Sequence, residues 1–177
     1  MTRIQGPESD QEKRLTDLIH QYEKDILRLC YTLLHDTDLA RDAVQDTFLK
    51  AYTHLDCQQE PGKEKSWLVS IAVNTCRDYL RSPWVRHVNR FVQPEDLPVA
   101  VNPPDEARMM LTAAIMNLPQ KYAEVVILRY VQGLNIQEAA EALHITPSAV
   151  SRRCKKACQK LKNELERGES GNDGNEY

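Results

Sequence analysis

Residues 134–162 read LNIQEAAEALHITPSAVSRRCKKACQKLK, and this stretch decides the fold of the second half of the chain. Ala139, Ala140 and Leu143 give residues 137–143 an apolar edge at helical spacing, as a short packing helix requires. His144, Ile145 and Thr146 leave room only for a turn. Thr146 is a good N-cap, and Pro147 takes the first helical position, where its missing N–H had no partner to lose. Val150, Cys154, Ala157, Cys158, Leu161 and Leu165 then recur at i, i+4, i+7, i+8, i+11 and i+15, which predicts one buried stripe. Ser148, Ser151, Arg152, Lys155, Lys156 and Gln159 are left facing out, chiefly groups that hydrogen-bond bases or phosphates. A helix-turn-helix that reads DNA has this arrangement. A solvated basic face would carry the same charges, but the short turn, the cap and the polar N-terminal side chains favour DNA.

The full 177 residues make one medium domain or two small ones. Aromatics are sparse at 6% and glycines number 6, so the expectation is an all-α chain with cores of Leu, Ile, Val and Ala. No apolar run is long enough to span a bilayer, and MTRIQGPESDQ does not read as a signal peptide, so a soluble, cytoplasmic protein is expected. The net charge of −3 argues against a nucleic-acid partner only as an average. From Pro147 to Leu165 there are six Lys/Arg against one Glu, and from Tyr79 to Pro94 three Arg and one His with no acid. Local charge is what DNA feels. The five cysteines include no C-x-x-C pair, and His144 is the only further ligand near Cys154 and Cys158, so no metal site and no cofactor are expected.

Upstream, apolar residues at helical spacing predict a helix over 11–34 and a second over 39–54, with Asp36 to Asp38 able to cap the second. A polar loop with a Pro61-Gly62 turn signal precedes a third helix over 66–81, which ends at Ser82-Pro83. Its Ser70, Asn74, Arg77 and Arg81 form a polar, basic stripe opposite Leu68, Ile71, Ala72 and Thr75. Trp67 reads as a packing anchor. Residues 85–105 hold four of the nine prolines and no amphipathic period, which predicts an extended, flexible linker. Helices are expected over 106–117 and 120–130, before the helix-turn-helix. The expected organisation is therefore a tail (1–10), a helical domain (11–84), the linker (85–105), a second helical domain (106–167) and a disordered tail (168–177).

Three blocks together resemble the extracytoplasmic-function (group IV) sigma factors of bacterial RNA polymerase. DLARDAVQDTFLKAY (Asp38–Tyr52) is similar to the family's region 2.2, SWLVSIAVNTCRDYLR (Ser66–Arg81) to regions 2.3 and 2.4, and LPQKYAEVVILRYVQGLNIQEAAEALHITPSAVSRRCKKA (Leu118–Ala157) to region 4. Their order and spacing are more specific than the helix-turn-helix alone. The chain departs from the family pattern at Arg41, Ala43, Val73, Ala149 and Arg152.

The resemblance implies a specificity subunit with no chemistry of its own, which directs core polymerase to promoters. It implies that Asp42, Gln45, Asp46 and Phe48 meet the β′ clamp, although Phe48 reads equally well as core. It implies that Ser148, Ser151, Arg152, Lys155 and Lys156 enter the major groove of the −35 element, with Arg153 and Lys160 on phosphates. For the −10 element it implies a flipped base received by the loop near 55–65, and a single strand held by Asn74, Arg77 and Arg81 with Lys63 and Lys65. The implied partners are the β and β′ subunits of core polymerase, promoter DNA, and an anti-sigma factor, membrane-anchored for many relatives. Two rivals stay open on the residues alone. One is a helix-turn-helix regulator that acts without replacing the sigma subunit; the other is a small helical enzyme, for which no nucleophile–base arrangement, phosphate loop or H-E-x-x-H signature is present.

Overall fold

The computed structural model describes residues 10–57, 60, 62–82 and 106–172. The expected linker, the first nine residues, positions 58, 59 and 61 of the polar loop, and residues 173–177 lie outside the described residues.

Helix α1 spans Asp10–Leu34 and buries Leu18, Ile26, Leu29, Cys30, Leu33 and Leu34. It stops where His35 takes the left-handed conformation (φ 58°), which His adopts more readily than most residues. Asp36 then caps α2 (Thr37–Thr53), its carboxylate accepting from Leu39 N at 2.9 Å. Ala40, Ala43, Val44, Thr47, Phe48 and Ala51 are the buried face of α2, and the small residues among them let it lie close to its neighbours. The Thr47 hydroxyl is satisfied within the helix, donating to Ala43 O at 2.6 Å. A short 3₁₀ turn (Leu55–Cys57) leads towards α3 (Glu64–Arg81), which buries Leu68, Val69, Ala72, Val73, Thr75 and Cys76. The three helices pack on one another, with Trp67 half-buried against their core as expected. Cys30 and Cys76 are fully buried between α1 and α3. Their mutual hydrogen bond, and then burial, push the Cys76 thiol up, so it behaves as an inert core group.

The second unit comprises α4 (Glu106–Met116), α5 (Gln120–Val126), a single π-helical turn (Ile127–Val131), α6 (Ile136–Leu143) and α7 (Pro147–Asn172). The sequence predicts one helix over 120–130, but its last turn widens: Gln132 N donates to Ile127 O at 2.8 Å. Gly133 at φ 73° then reverses the chain. Asn135 caps α6 through a full capping box, with its side chain accepting from Glu138 N at 3.0 Å and its own N–H donating to Glu138 Oε2 at 2.7 Å. Helix α7 runs to Asn172, through Gly168 and Gly171, where the sequence reading expects a disordered tail from residue 168.

The two units are not held apart. Buried residues of α1–α3 continue without a break into Ala123, Val125, Ile127, Leu128, Ala139, Ala140 and Leu143. A smaller cluster, Ala114, Val126, Ala157 and Leu161, ties α4 and α5 to α7. No strand occurs among the described residues.

Candidate nucleic-acid interface

The turn between α6 and α7 is built as the sequence predicts. His144 sits in the left-handed region (φ 54°), and Ile145 N donates back to Ala140 O at 3.0 Å, closing α6 in a Schellman-type end. Thr146 Oγ1 accepts from Ala149 N at 3.2 Å and lies 3.0 Å from Ser148 Oγ, so the N-cap of α7 is in place. Val150 (0% exposed) and Ala157 (0%) anchor α7 on α6 and α5. Ser148, Arg152, Lys155, Lys156 and Lys160 are exposed, while Ser151 and Arg153 are half-buried at the margin of the buried stripe. The four positions Ser148, Arg152, Lys155 and Lys156 fall at i, i+4, i+7 and i+8, one outward face presenting hydroxyl, guanidinium and two ammonium groups. Lys160 stands apart from them: its ammonium is 6.0 Å from the Tyr122 ring, which Lys121 also approaches at 5.1 Å. The stripe itself needs one correction. Cys158 is exposed and Cys154 half-buried, because i+8 from Val150 has rotated past the edge of the contact with α5.

The outward face of α2 carries Asp42 and Gln45, both exposed. Asp46 is half-buried, and its carboxylate accepts from the Tyr79 hydroxyl at 2.9 Å. Burial first, and this bond second, push the Tyr79 hydroxyl up to about 12. Phe48, expected on the contact surface, is instead core: it is 6% exposed, one turn on from the buried Val44. The apolar group that α2 does present outward is Leu49 (64% exposed), with Tyr52 at its edge. A leucine off the buried stripe of an amphipathic helix is the sequence signal for it.

The stripe of α3 departs most from expectation. It does not face solvent for most of its length but meets the second unit. Arg77 Nε donates to Glu124 Oε1 at 2.9 Å, and Nη2 to Oε2 at 2.8 Å, a two-pronged ion pair with a carboxylate that is only 3% exposed. Gln120 Nε2 also donates to Glu124 Oε1 at 3.1 Å. Asn74 Nδ2 lies 3.4 Å from His144 Nε2, and Ser70 Oγ donates to Ala142 O at 3.4 Å. Arg81, one turn further, is exposed. Lys63 pairs with Glu60, and Lys65 with Asp25 of α1 at 3.2 Å. Glu124 was not among the residues expected to matter, though a lone acid inside AEVVIL marks a position whose charge must find a partner.

Comparison with known proteins gives two family matches, Sigma-70 region 2 over residues 18–86 and Sigma-70, region 4 over residues 108–161. Among curated proteins, the ECF RNA polymerase sigma factor SigM of Bacillus subtilis (strain 168) is 30% identical over 162 residues, 87% of this chain and 96% of SigM. The ECF RNA polymerase sigma factor SigW of the same organism is 26% identical over 181 residues, 92% of this chain and 95% of SigW. Among solved structures, CnrH in complex with the cytosolic domain of CnrY is similar with a TM-score of 0.67 and 25% identity, covering 90% of this chain and 92% of that one.

Proposed function

This chain belongs to the extracytoplasmic-function sigma factors of the sigma-70 family, and from that premise we propose how its own residues do the work of an RNA polymerase sigma factor. The observation that carries the reading is the capped α7 with Ser148, Arg152, Lys155 and Lys156 on one exposed face. That face enters the major groove of the −35 element, with Ser151 at its edge. Arg and Lys donate to guanine O6 and N7, each good pair supplying about 1–3 kcal/mol of discrimination. Arg153 and Lys160 flank it and hold phosphates, a contribution that salt weakens.

Core polymerase supplies the catalysis, and this chain supplies none. The exposed face of α2, with Asp42, Gln45 and Leu49, docks on the β′ clamp; Asp46 serves that face by fixing Tyr79 beneath it. Strand opening at the −10 element leaves unstacked bases that cost about a few kcal/mol each, so the protein must hold what it unpairs. Asn74 offers an amide edge to a base, Arg81 holds the strand backbone, and Arg77, Lys63 and Lys65 exchange their carboxylate partners for phosphates. The β subunit meets the second unit. The likeness to CnrH, solved with the cytosolic domain of CnrY, supports an anti-sigma partner and a cytoplasmic site of action.

The test is permanganate reactivity of unpaired thymines when core polymerase and this chain are added to promoter fragments. Asn74→Ala and Arg81→Ala should reduce reactivity near the start site while leaving duplex binding upstream unchanged. Full reactivity with both variants would remove these residues from the −10 assignment.

A further inference from the structure

Free cysteine is among the most buried residue types, yet Cys158 lies exposed on α7, outside the contacts that hold that helix in place. Cys154, one turn earlier, is half-buried at the edge of the core, so the two thiols stand on the same side of one unbroken helix. Tyr130 of the π turn completes the cluster: its hydroxyl is 3.9 Å from Cys158 Sγ, and the residue is 63% exposed. Burial raises the Cys154 thiol above its ordinary range, and the nearby Arg129 guanidinium works against that. The surroundings are cationic. Arg152, Arg153, Lys155, Lys156, Lys160 and Lys162 flank the pair along α7, and the first acid of the helix is Glu164.

Spacing decides what such a pair can do. Side chains at i and i+4 of a helix hold their Cβ atoms about 5–6 Å apart. A disulfide brings them to about 3.5–4.5 Å, so direct S–S bonding would distort α7. An atom between the sulfurs removes the conflict, because two metal–thiolate bonds of about 2.3 Å each, end to end, span about 4.6 Å. Zinc wants four ligands in a tetrahedron. No cluster of three or more His, Cys, Asp or Glu able to hold a metal ion occurs among the described residues. A soft ion satisfied by two thiolates in line is the better match, and thiolate ligands select Cu(I). Charge agrees with this choice: two thiolates on one Cu(I) carry one net negative charge, which the flanking Arg and Lys side chains stabilise.

We propose that Cys154 and Cys158 form a two-thiolate site for Cu(I) on the flank of the DNA-reading face of α7. On binding, two S–H bonds break, two S–Cu bonds form and both protons leave to solvent, with no change in oxidation state. Tyr130 covers one side of the pair. The bound ion places its net negative charge beside Lys155, the residue after Cys154, and competes with DNA for that ammonium. Affinity for −35 duplexes should fall by about twofold at the dielectric of water. That consequence rests on the −35 reading; the site itself does not.

The test is anaerobic titration of the full, reduced chain with Cu(I) in competition with bicinchoninate, a chelator that colours on binding Cu(I). Wild type should withdraw about one equivalent from the chelator. Cys158→Ala and Cys154→Ala should each weaken that binding by about a hundredfold or more, because one helix supplies both ligands. Cys158→Ala combined with Gln159→Cys keeps the number of thiols but turns one of them away from Cys154 around the helix, and should bind as weakly as Cys158→Ala. Cys57→Ala combined with Cys76→Ala should bind as wild type, and circular dichroism checks that each variant keeps its helices. Tight binding that survives in Cys158→Ala or in the displaced-thiol variant, or that is lost with Cys57 and Cys76 instead, would overturn the site. Copper uptake that leaves the −35 affinity of holoenzyme unchanged would overturn its effect on DNA. A failure of the −35 reading would show separately, as unaltered base preference in Arg152→Ala holoenzyme while the free chain still takes up the ion.

Discussion

Replacing Arg152 by Ala separates base reading from phosphate binding on the same helix. Arg152 is exposed, lies one turn beyond Ser148, and has no hydrogen bond or ion pair holding it among the described residues, so its guanidinium is available to a base edge. A two-pronged contact to guanine is worth about 1–3 kcal/mol, and about 1.4 kcal/mol is a factor of ten. The variant should therefore lose about 5- to 150-fold of the preference for the best −35 duplex over the one changed at the contacted base pair. Affinity for the changed duplex itself should move little. Lys160→Ala is the control: two turns further on and resting near Tyr122, it should weaken every duplex alike and reduce the slope of log affinity against log salt by about 0.9. The assay is equilibrium binding of reconstituted holoenzyme to duplexes altered one −35 base pair at a time, at several salt concentrations. An equal loss on all duplexes for Arg152→Ala, with the salt slope of a lost phosphate contact, would refute the assignment of base reading to this side chain.

Asn135→Ala removes the side-chain half of the capping box that starts α6, leaving the backbone N–H of residue 135 to Glu138, and should cost about 1 kcal/mol in chemical denaturation while helix content stays near wild type. Leu49→Ala takes away an exposed apolar group from α2, so thermal stability should hold while affinity for core polymerase falls by up to about tenfold. Tyr79 gives a pH signature. Its folded value near 12 lies above its ordinary 10, so its contribution is complete below pH 10 and is lost as pH rises from 10 towards 12. Tyr79→Phe should flatten the decline of stability over that window, read by denaturant midpoints at several pH values.

Much of this was legible because helical periodicity and capping chemistry are local. The Thr146-Pro147 start, the Asp36 cap and the buried faces of α1 to α3 each follow from residues within a turn or two of one another. The partners of side chains across units were not legible, since nothing local says whether Arg77 will meet a phosphate or Glu124, which lies 47 positions away. Phe48 fell between two readings for a similar reason: an apolar residue on a docking helix satisfies either surface, and only packing beside Val44 decides it. Cys158 shows how narrow the contact is: the i+8 position falls to its side, whereas Ala157 and Leu161 on the same helix lie within it. The π turn at 127–131 had no local signal, because its residues are good formers of an ordinary helix or strand.

Transcription by purified bacterial core polymerase on a fragment library, with and without this chain, tests the central claim most directly. Discrete new starts that share upstream −35 and −10 elements, present only when the chain is added, are the predicted result. Tight duplex binding by the chain alone, with no new starts in the presence of core, would contradict it.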